Sequence, residues 1–261
     1  MTGVFTFRTA SVSDVGKVRK LNEDSVLARP EIGLWAVADG MGGHGGGDVA
    51  SRSVVAALAT LAPQRTGAAL LDEFEARIVK VNAELRALAR ARGAAVIGTT
   101  LVAVLIHGAH FACVWCGDSR AYLWRGGALK QVSRDHSEVQ DLIDRGLLDR
   151  QEAKDWPRRN VVTRALGAAD QAELEIVDGP AFPGDRFLLC SDGLTAHIED
   201  DEIAASLAAD DPQKACDDLL ALTLQRGASD NVSLIVVVCD ADQRTVRSDG
   251  ASRREILAGD G

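Results

Sequence analysis

Residues 36–51 read AVADGMGGHGGGDVAS, and the fold reading starts there. An apolar run, GLWAVAD at 33–39, ends on the carboxylate of Asp39. A stretch of Gly, Met and His follows, and from Asp48 to Leu61 apolar residues recur at helical spacing. A chain that ends a buried strand on a carboxylate and then drops almost every side chain is clearing space beside its backbone. The pattern recurs. Apolar segments meet an aspartate beside Gly or Asn at Asp39-Gly40, Asp192-Gly193 and Asp230-Asn231, and Asp118 follows Gly117 at another strand end. Asp-Gly alone marks turns. Four such ends behind strongly apolar runs would converge at one end of a sheet, where the carboxylates repel each other and lose hydration. Hard divalent cations relieve both costs, and oxygen donors without His or Cys point to magnesium or manganese. Glycine at position 40 lets a main-chain carbonyl join the ligands.

Working outward, a second helix is marked by Leu71, Phe74, Ile78, Val81, Leu85 and Leu88 in steps of three and four, stopping at Gly93. Residues 99–133 read as consecutive short strands with tight turns at His107-Gly108 and Gly126-Gly127, which argues for antiparallel sheets rather than βαβ units. Residues 134–165 are charged and irregular, with a short amphipathic piece around SEVQDLIDRG, and read as a flap-like insert over one edge. DRFLLCSDG at 185–193 is a strand ending in Asp-Gly. DPQKACDDLLALTLQRG at 211–227 is a helix, with Asp211 as N-cap, Pro212 in its first turn and Gly227 as its stop. NVSLIVVVC at 231–239 closes the fold as a strand. The expected organisation is one catalytic domain over 1–240 and a mobile, polar C-terminal tail over 241–261.

The 261 residues are 46% hydrophobic, enough for a sizeable core, and carry a net charge of −9. That balance argues against non-specific binding to nucleic acid or anionic membrane. It does not exclude a phosphorylated substrate, because metal ions can supply positive charge. The N-terminus has no basic region leading into an apolar core, so no signal peptide is expected. The longest apolar runs, LVAVLI and LIVVVC, are too short to span a bilayer, and a cytoplasmic protein is expected. Cys113, Cys116, Cys190, Cys216 and Cys239 read as buried free thiols. Cys113 and Cys116 sit on a strand in unlike surroundings, with no second pair to complete a zinc site.

In order along the chain, SDVGKVRKLNEDS, AVADGMGGHGGGDVAS, GTTL, CGDSRAYL, VVTRALG, LLCSDGLT and SDNVSLIVV resemble the metal-dependent type 2C protein serine/threonine phosphatase family in its compact bacterial form, from about Ser13 to Val238. The resemblance implies an α+β fold: two packed antiparallel β-sheets flanked by helices on both outer faces. It also implies two Mn2+ or Mg2+ ions in a cleft at one edge of the sandwich. Asp39 would bridge both ions, Gly40 would give its carbonyl to one, and Asp192 and Asp230 would hold the other. Asp118 matches the position for a third, weaker metal. Glu23 and Asp24 match an acidic pair that holds metal-bound waters, with Asn231 beside them. Arg19 matches the arginine that grips the substrate phosphate. A water shared by two ions roughly 3.5–4 Å apart has a lowered pKa and attacks phosphorus in line.

The implied activity is hydrolysis of phosphoserine and phosphothreonine in proteins by a monomer that opposes a bacterial serine/threonine kinase, with that kinase among its partners. Two other readings stay open: a pseudophosphatase that binds phosphoproteins without hydrolysis, and a hydrolase of small phosphorylated metabolites or nucleotides. One position departs from the family. Many eukaryotic members carry a histidine after the first Asp-Gly as general acid, where this chain has Met41, with His44 three residues on. His44 is expected to be a loop residue without a large role in rate. His136, in RDHS, reads as structural or substrate-proximal.

Overall fold

The computed structural model describes residues 5–43 and 45–242. The chain runs through strands β1 (Phe5–Asp14), β2 (Asp24–Arg29) and β3 (Leu34–Met41), then helices α1 (Gly46–Ala59) and α2 (Gly67–Arg92). Strands β4 (Gly98–Thr99), β5 (Leu101–His107), β6 (His110–Cys116), β7 (Arg120–Arg125) and β8 (Ala128–Gln131) follow. Helices α3 (Glu138–Asp144) and α4 (Arg150–Lys154) come next, then strands β9 (Glu175–Pro180) and β10 (Arg186–Cys190). The chain ends in helices α5 (Asp192–Thr195), α6 (Asp200–Ala208) and α7 (Pro212–Gln225) and strand β11 (Val232–Ala241).

One sheet has the order β1-β11-β10-β7-β8 and the other β2-β3-β5-β6-β9, with β4 beside β3. The paired strands are antiparallel. The central strands are apolar throughout because both of their faces are covered. In β3, Leu34, Ala36 and Ala38 pack under α1 and α2, while Trp35 and Val37 face the opposite sheet. In β11, Leu234 and Val236 lie under α5, α6 and α7, and Ile235, Val237 and Cys239 enter the sandwich core. The result is the expected α-β-β-α layering.

The cysteine alternation holds. Cys113 lies between the sheets and Cys116 on the helix side, and all five thiols are free and buried. Gly126 and Gly127 take φ 57° and 86° at the β7–β8 turn, as a two-residue hairpin requires. The other tight turn lies one residue later than expected. His107 stays in β5 and pairs with His110, and Gly108 takes the positive φ.

Several elements were not placed by the sequence reading. β9 is an edge strand with Ile176 and Val177 partly exposed, so it lacks the apolar signature of a covered strand. The strand ending at Cys190 passes straight into α5, whose first residue is Asp192, and α6 follows. The insert carries α3 and α4 and is closed on itself by a Ser137–Val162 bridge. No helix among the described residues is long and apolar enough to cross a membrane.

The start of α7 is as expected. The Asp211 side chain accepts from the N–H groups of Gln213 and Lys214, and Pro212 occupies the first turn. Asp211→Ala should cost about 1 kcal/mol of stability in a urea titration, with no change in metal affinity, because Asp211 caps the end of α7 opposite the loop that carries Asp230.

Candidate active site

Strand register brings the first two carboxylates together. Asp24 in β2 stands directly opposite Asp39 in β3. Like charges in that relation are destabilising, so the pairing requires support from its surroundings. Asp39 is fixed through its backbone. Its N–H donates to Thr100 Oγ1 at 3.1 Å, and its carbonyl accepts from Thr100 N at 2.8 Å and Thr99 Oγ1 at 2.9 Å. Thr100 Oγ1 lies 2.7 Å from Ser119 Oγ, beside Asp118. Asp24 accepts from Ser191 Oγ at 2.8 Å, and Ser191 Oγ accepts from Ser233 N at 3.0 Å.

The other aspartates arrive from loops at the same edge. Asp118 follows Gly117, which has φ 116° and packs against Thr100. Gly117 N donates to His136 Nδ1 at 3.1 Å, and His136 N donates to Gly117 O at 2.9 Å, so the start of the insert is bolted to the Asp118 loop. Asp192 opens α5. Asp230 precedes β11 and pairs with Arg19 at 2.7 Å. Asn231 accepts from Glu23 N at 2.9 Å and donates to the carbonyls of Val15 and Leu21, fixing the 15–23 loop against β11.

Arg19, Glu23, Asp39, Gly40, Asp118, Asp192, Asp230 and Asn231 line one cleft of about 470 Å3. Asp24 lies buried behind it. The expected site residues therefore share one location. Sequence reading gave no role to Thr99, Thr100, Ser119 and Ser191, which orient the carboxylates, or to Asn160 and Val162, which reach the cleft from the insert. The hydroxyls had one visible signal: Thr-Thr opening an otherwise apolar strand. A larger hollow of about 580 Å3 lies at the other end of β5, near His107 and Asp178, away from the aspartates. His44 lies outside the described residues, as does the tail from residue 243.

Burial drives the Asp39 carboxyl well above the ordinary carboxylate range, and the charges of Asp24, Asp192, Asp118 and Asp230 push it further. Burial also raises Asp118, aided by Asp192 and Asp135. Burial and Asp230 raise Asp192, against a hydrogen bond with Asp39 and the charges of Arg120 and Arg19. Asp24 is pushed up to about 6 by burial, while bonds from Ser233 and Ser191 oppose the rise.

The donors fit divalent cations. Asp192 Oδ1 and Asp24 Oδ1 are buried and lack a hydrogen-bond partner. Among the described residues no three His, Cys, Asp or Glu side chains are gathered into a closed metal cage. The set suits hard ions that take carboxylate and carbonyl oxygens and complete their shells with water. The glycines serve a tight backbone crossing. A Cβ at Gly40 would lie 2.6 Å from Glu23 O, and one at Gly47 would lie 2.6 Å from Gly40 O and 2.7 Å from Glu23 Oε1. The start of α1 thus rests on the end of β3, backbone against backbone.

A carboxyl with a raised folded pKa adds stability below its unfolded value, and that stability is lost as pH rises through the folded value. For Asp24 the window runs from 3.8 to about 6. Chelator-treated protein should therefore melt lower at pH 8 than at pH 5. Asp39→Asn should raise the melting temperature at pH 8 by about 2–8 °C, and by less at pH 5. A lower melting temperature of Asp39→Asn at pH 8 would refute the repulsion account.

Residues 17–238 match the family model for Protein phosphatase 2C. The serine/threonine protein phosphatase PstP of Mycobacterium tuberculosis is 40% identical over 237 residues, covering 90% of this chain and 46% of that protein. The chain thus spans about half the length of this relative. The structure of PppA, a key regulatory component of T6SS in Pseudomonas aeruginosa, superposes with a TM-score of 0.84 at 43% identity, covering 90% of this chain and 99% of that one. The catalytic domain of PstP in complex with two manganese ions superposes with a TM-score of 0.83 at 38% identity, covering 90% and 99%. A match running from residue 17 to residue 238 settles the assignment: the chain belongs to the protein phosphatase 2C family.

Proposed function

We propose that the chain is a manganese- or magnesium-dependent phosphatase that removes phosphate from phosphoserine and phosphothreonine in proteins and opposes a serine/threonine kinase, acting as a cytoplasmic monomer. The observation that carries this reading is the convergence of Asp39, Asp118, Asp192 and Asp230 in one cleft with Arg19 at its mouth. Asp39 and the Gly40 carbonyl would hold one ion, Asp39 would share the second with Asp192 and Asp230, and Asp118 would take a third. Bound there, divalent ions would supply Lewis acidity toward phosphoryl oxygens and acidify a water held between them.

The remaining work falls to the chain itself. The Thr99 and Thr100 hydroxyls hold the Asp39 backbone so that its carboxylate keeps one direction. Glu23, and Asp24 backed by Ser191, would hold waters around the ions. Arg19 is half exposed, and its guanidinium would leave Asp230 to take phosphate oxygens in a two-pronged contact. Asn160 and Val162 would meet the substrate chain, giving the 134–165 insert the part of a flap. Met41 has no proton to give a leaving serine oxygen.

The complete aspartate set speaks against a pseudophosphatase. Turnover of para-nitrophenyl phosphate with Mn2+ separates the two, and phosphopeptides against nucleotides at equal concentration separates a protein phosphatase from a metabolite hydrolase. Activity should vanish in chelator and return with Mn2+ or Mg2+, but not to the same extent with Ca2+, whose larger shell holds ligands more loosely. Full activity in chelator would remove the reading. Asp39→Asn and Asp192→Asn should each lower kcat by about a thousandfold or more, since each removes a ligand and its charge. Asp118→Asn should lower turnover clearly while leaving phosphopeptide binding less affected. Unchanged turnover in that variant would assign Asp118 to structure alone.

A further inference from the structure

The loop that carries Asp230 is held in an unfavourable shape. Gly227 has φ 117°, and Ala228, at φ 36°, is the only non-glycine residue with positive φ among the described residues. An L-residue does not take that conformation unless its neighbours enforce it. On one side the enforcement is plain. Lys17 N donates to Ala228 O at 2.9 Å, and Gly16 lets the Asp230 and Ala228 carbonyls approach where a Cβ would collide.

On the other side stands His197. Ser229 donates its N–H to His197 Nε2 at 3.2 Å, and Ser229 Oγ lies 3.3 Å from the same nitrogen. The ring accepts at Nε2, so its proton sits on Nδ1. His197 is itself placed by the chain around it. Its N–H donates to Leu194 O at 3.0 Å, and its carbonyl accepts from Arg226 Nη1 at 2.7 Å. Arg226 is in turn held by Glu202 at 2.6 Å.

The geometry points to His197 as a positioning residue that sets the spacing of Asp192 and Asp230. Asp192 opens α5 and His197 follows the end of α5, so the bond to Ser229 ties the helix bearing one carboxylate to the loop bearing the other. The two carboxylates repel each other, and the strained loop has its own tendency to open. The Gly193–Asn231 backbone contact closes the segments near the carboxylates, and the imidazole closes them at the far end of α5. This rests on the reading that Asp192 and Asp230 serve one ion. A group that orients metal ligands from behind is typically worth 10–100-fold in metal affinity.

Two polar substitutions test the assignment. Gln at 197 can place an amide oxygen near the position of Nε2, whereas Asn reaches only as far as Nδ1. MnCl2 would be titrated by calorimetry into the wild-type chain, His197→Gln and His197→Asn, with the Ser229 amide followed by hydrogen exchange in chelator. His197→Asn should weaken Mn2+ binding about tenfold or more and expose the Ser229 amide. His197→Gln should stay within about threefold of wild type and keep the amide protected. Equal affinities in all three, or equal weakening in both variants, would overturn the role of His197 while leaving the metal site standing. A wild-type chain that takes up no Mn2+ would overturn both the site and this role. Should His197→Asn fail to fold, protection of Ser229 in His197→Gln still decides: an unprotected amide there overturns the clamp.

Discussion

Repulsion among buried carboxylates is the constraint on which the structure turns. Asp24 faces Asp39 across one strand pair, and Asp118, Asp192 and Asp230 crowd the same edge. No arrangement of this kind lowers the energy of the fold by itself, as the upward drive on Asp39, Asp118 and Asp192 shows. The sandwich tolerates it because stabilisation comes from elsewhere, in a core between the sheets and one under each helical layer. The PstP catalytic domain, which shares this fold, holds two manganese ions, and cations bound at this edge would turn mutual repulsion into shared attraction.

The surroundings of the cleft follow from the same constraint. Carboxylates that repel each other must be aimed by groups that do not depend on them. Thr99 and Thr100 fix the Asp39 backbone, Ser191 fixes Asp24, and His136 binds the Gly117 amide and carbonyl beside Asp118. Glycines allow the close crossings that bring these segments together. Gly40 meets Gly47, Gly193 meets Asn231 and Gly16 meets Asp230, each at a distance that leaves no room for a Cβ. The glycine run after Asp39 was read as space for a metal's approach to the backbone. Within that run Gly40 and Gly47 seat the start of α1 on the end of β3, while Gly43 and Gly45 face open space.

Most of the fold was legible because its signals are local. The covered strands β3, β5, β10 and β11 are short apolar runs, the stripe of α2 repeats at helical spacing, and Asp211-Pro212 announces α7. β9 and α6 were missed for local reasons too. An edge strand with one open face has a mixed pattern, and a nine-residue helix offers little period to read. The aspartates were legible because a charge at the end of an apolar run is conspicuous in one dimension.

The sequence by itself singled out the residues that meet in the cleft: Asp39, Asp118, Asp192 and Asp230, with Gly40 beside the first. It also determined the layered antiparallel class, because strand and helix periods are written in neighbouring residues. Tertiary structure alone decided how those residues are held. Arg19 meets Asp230 across 211 positions of chain, Asn231 binds the loop before Glu23, and His197 reaches Ser229. None of these contacts has a period or a spacing to betray it. A hydroxyl or an imidazole acquires such a role only when folding brings a distant backbone within about 3 Å of it.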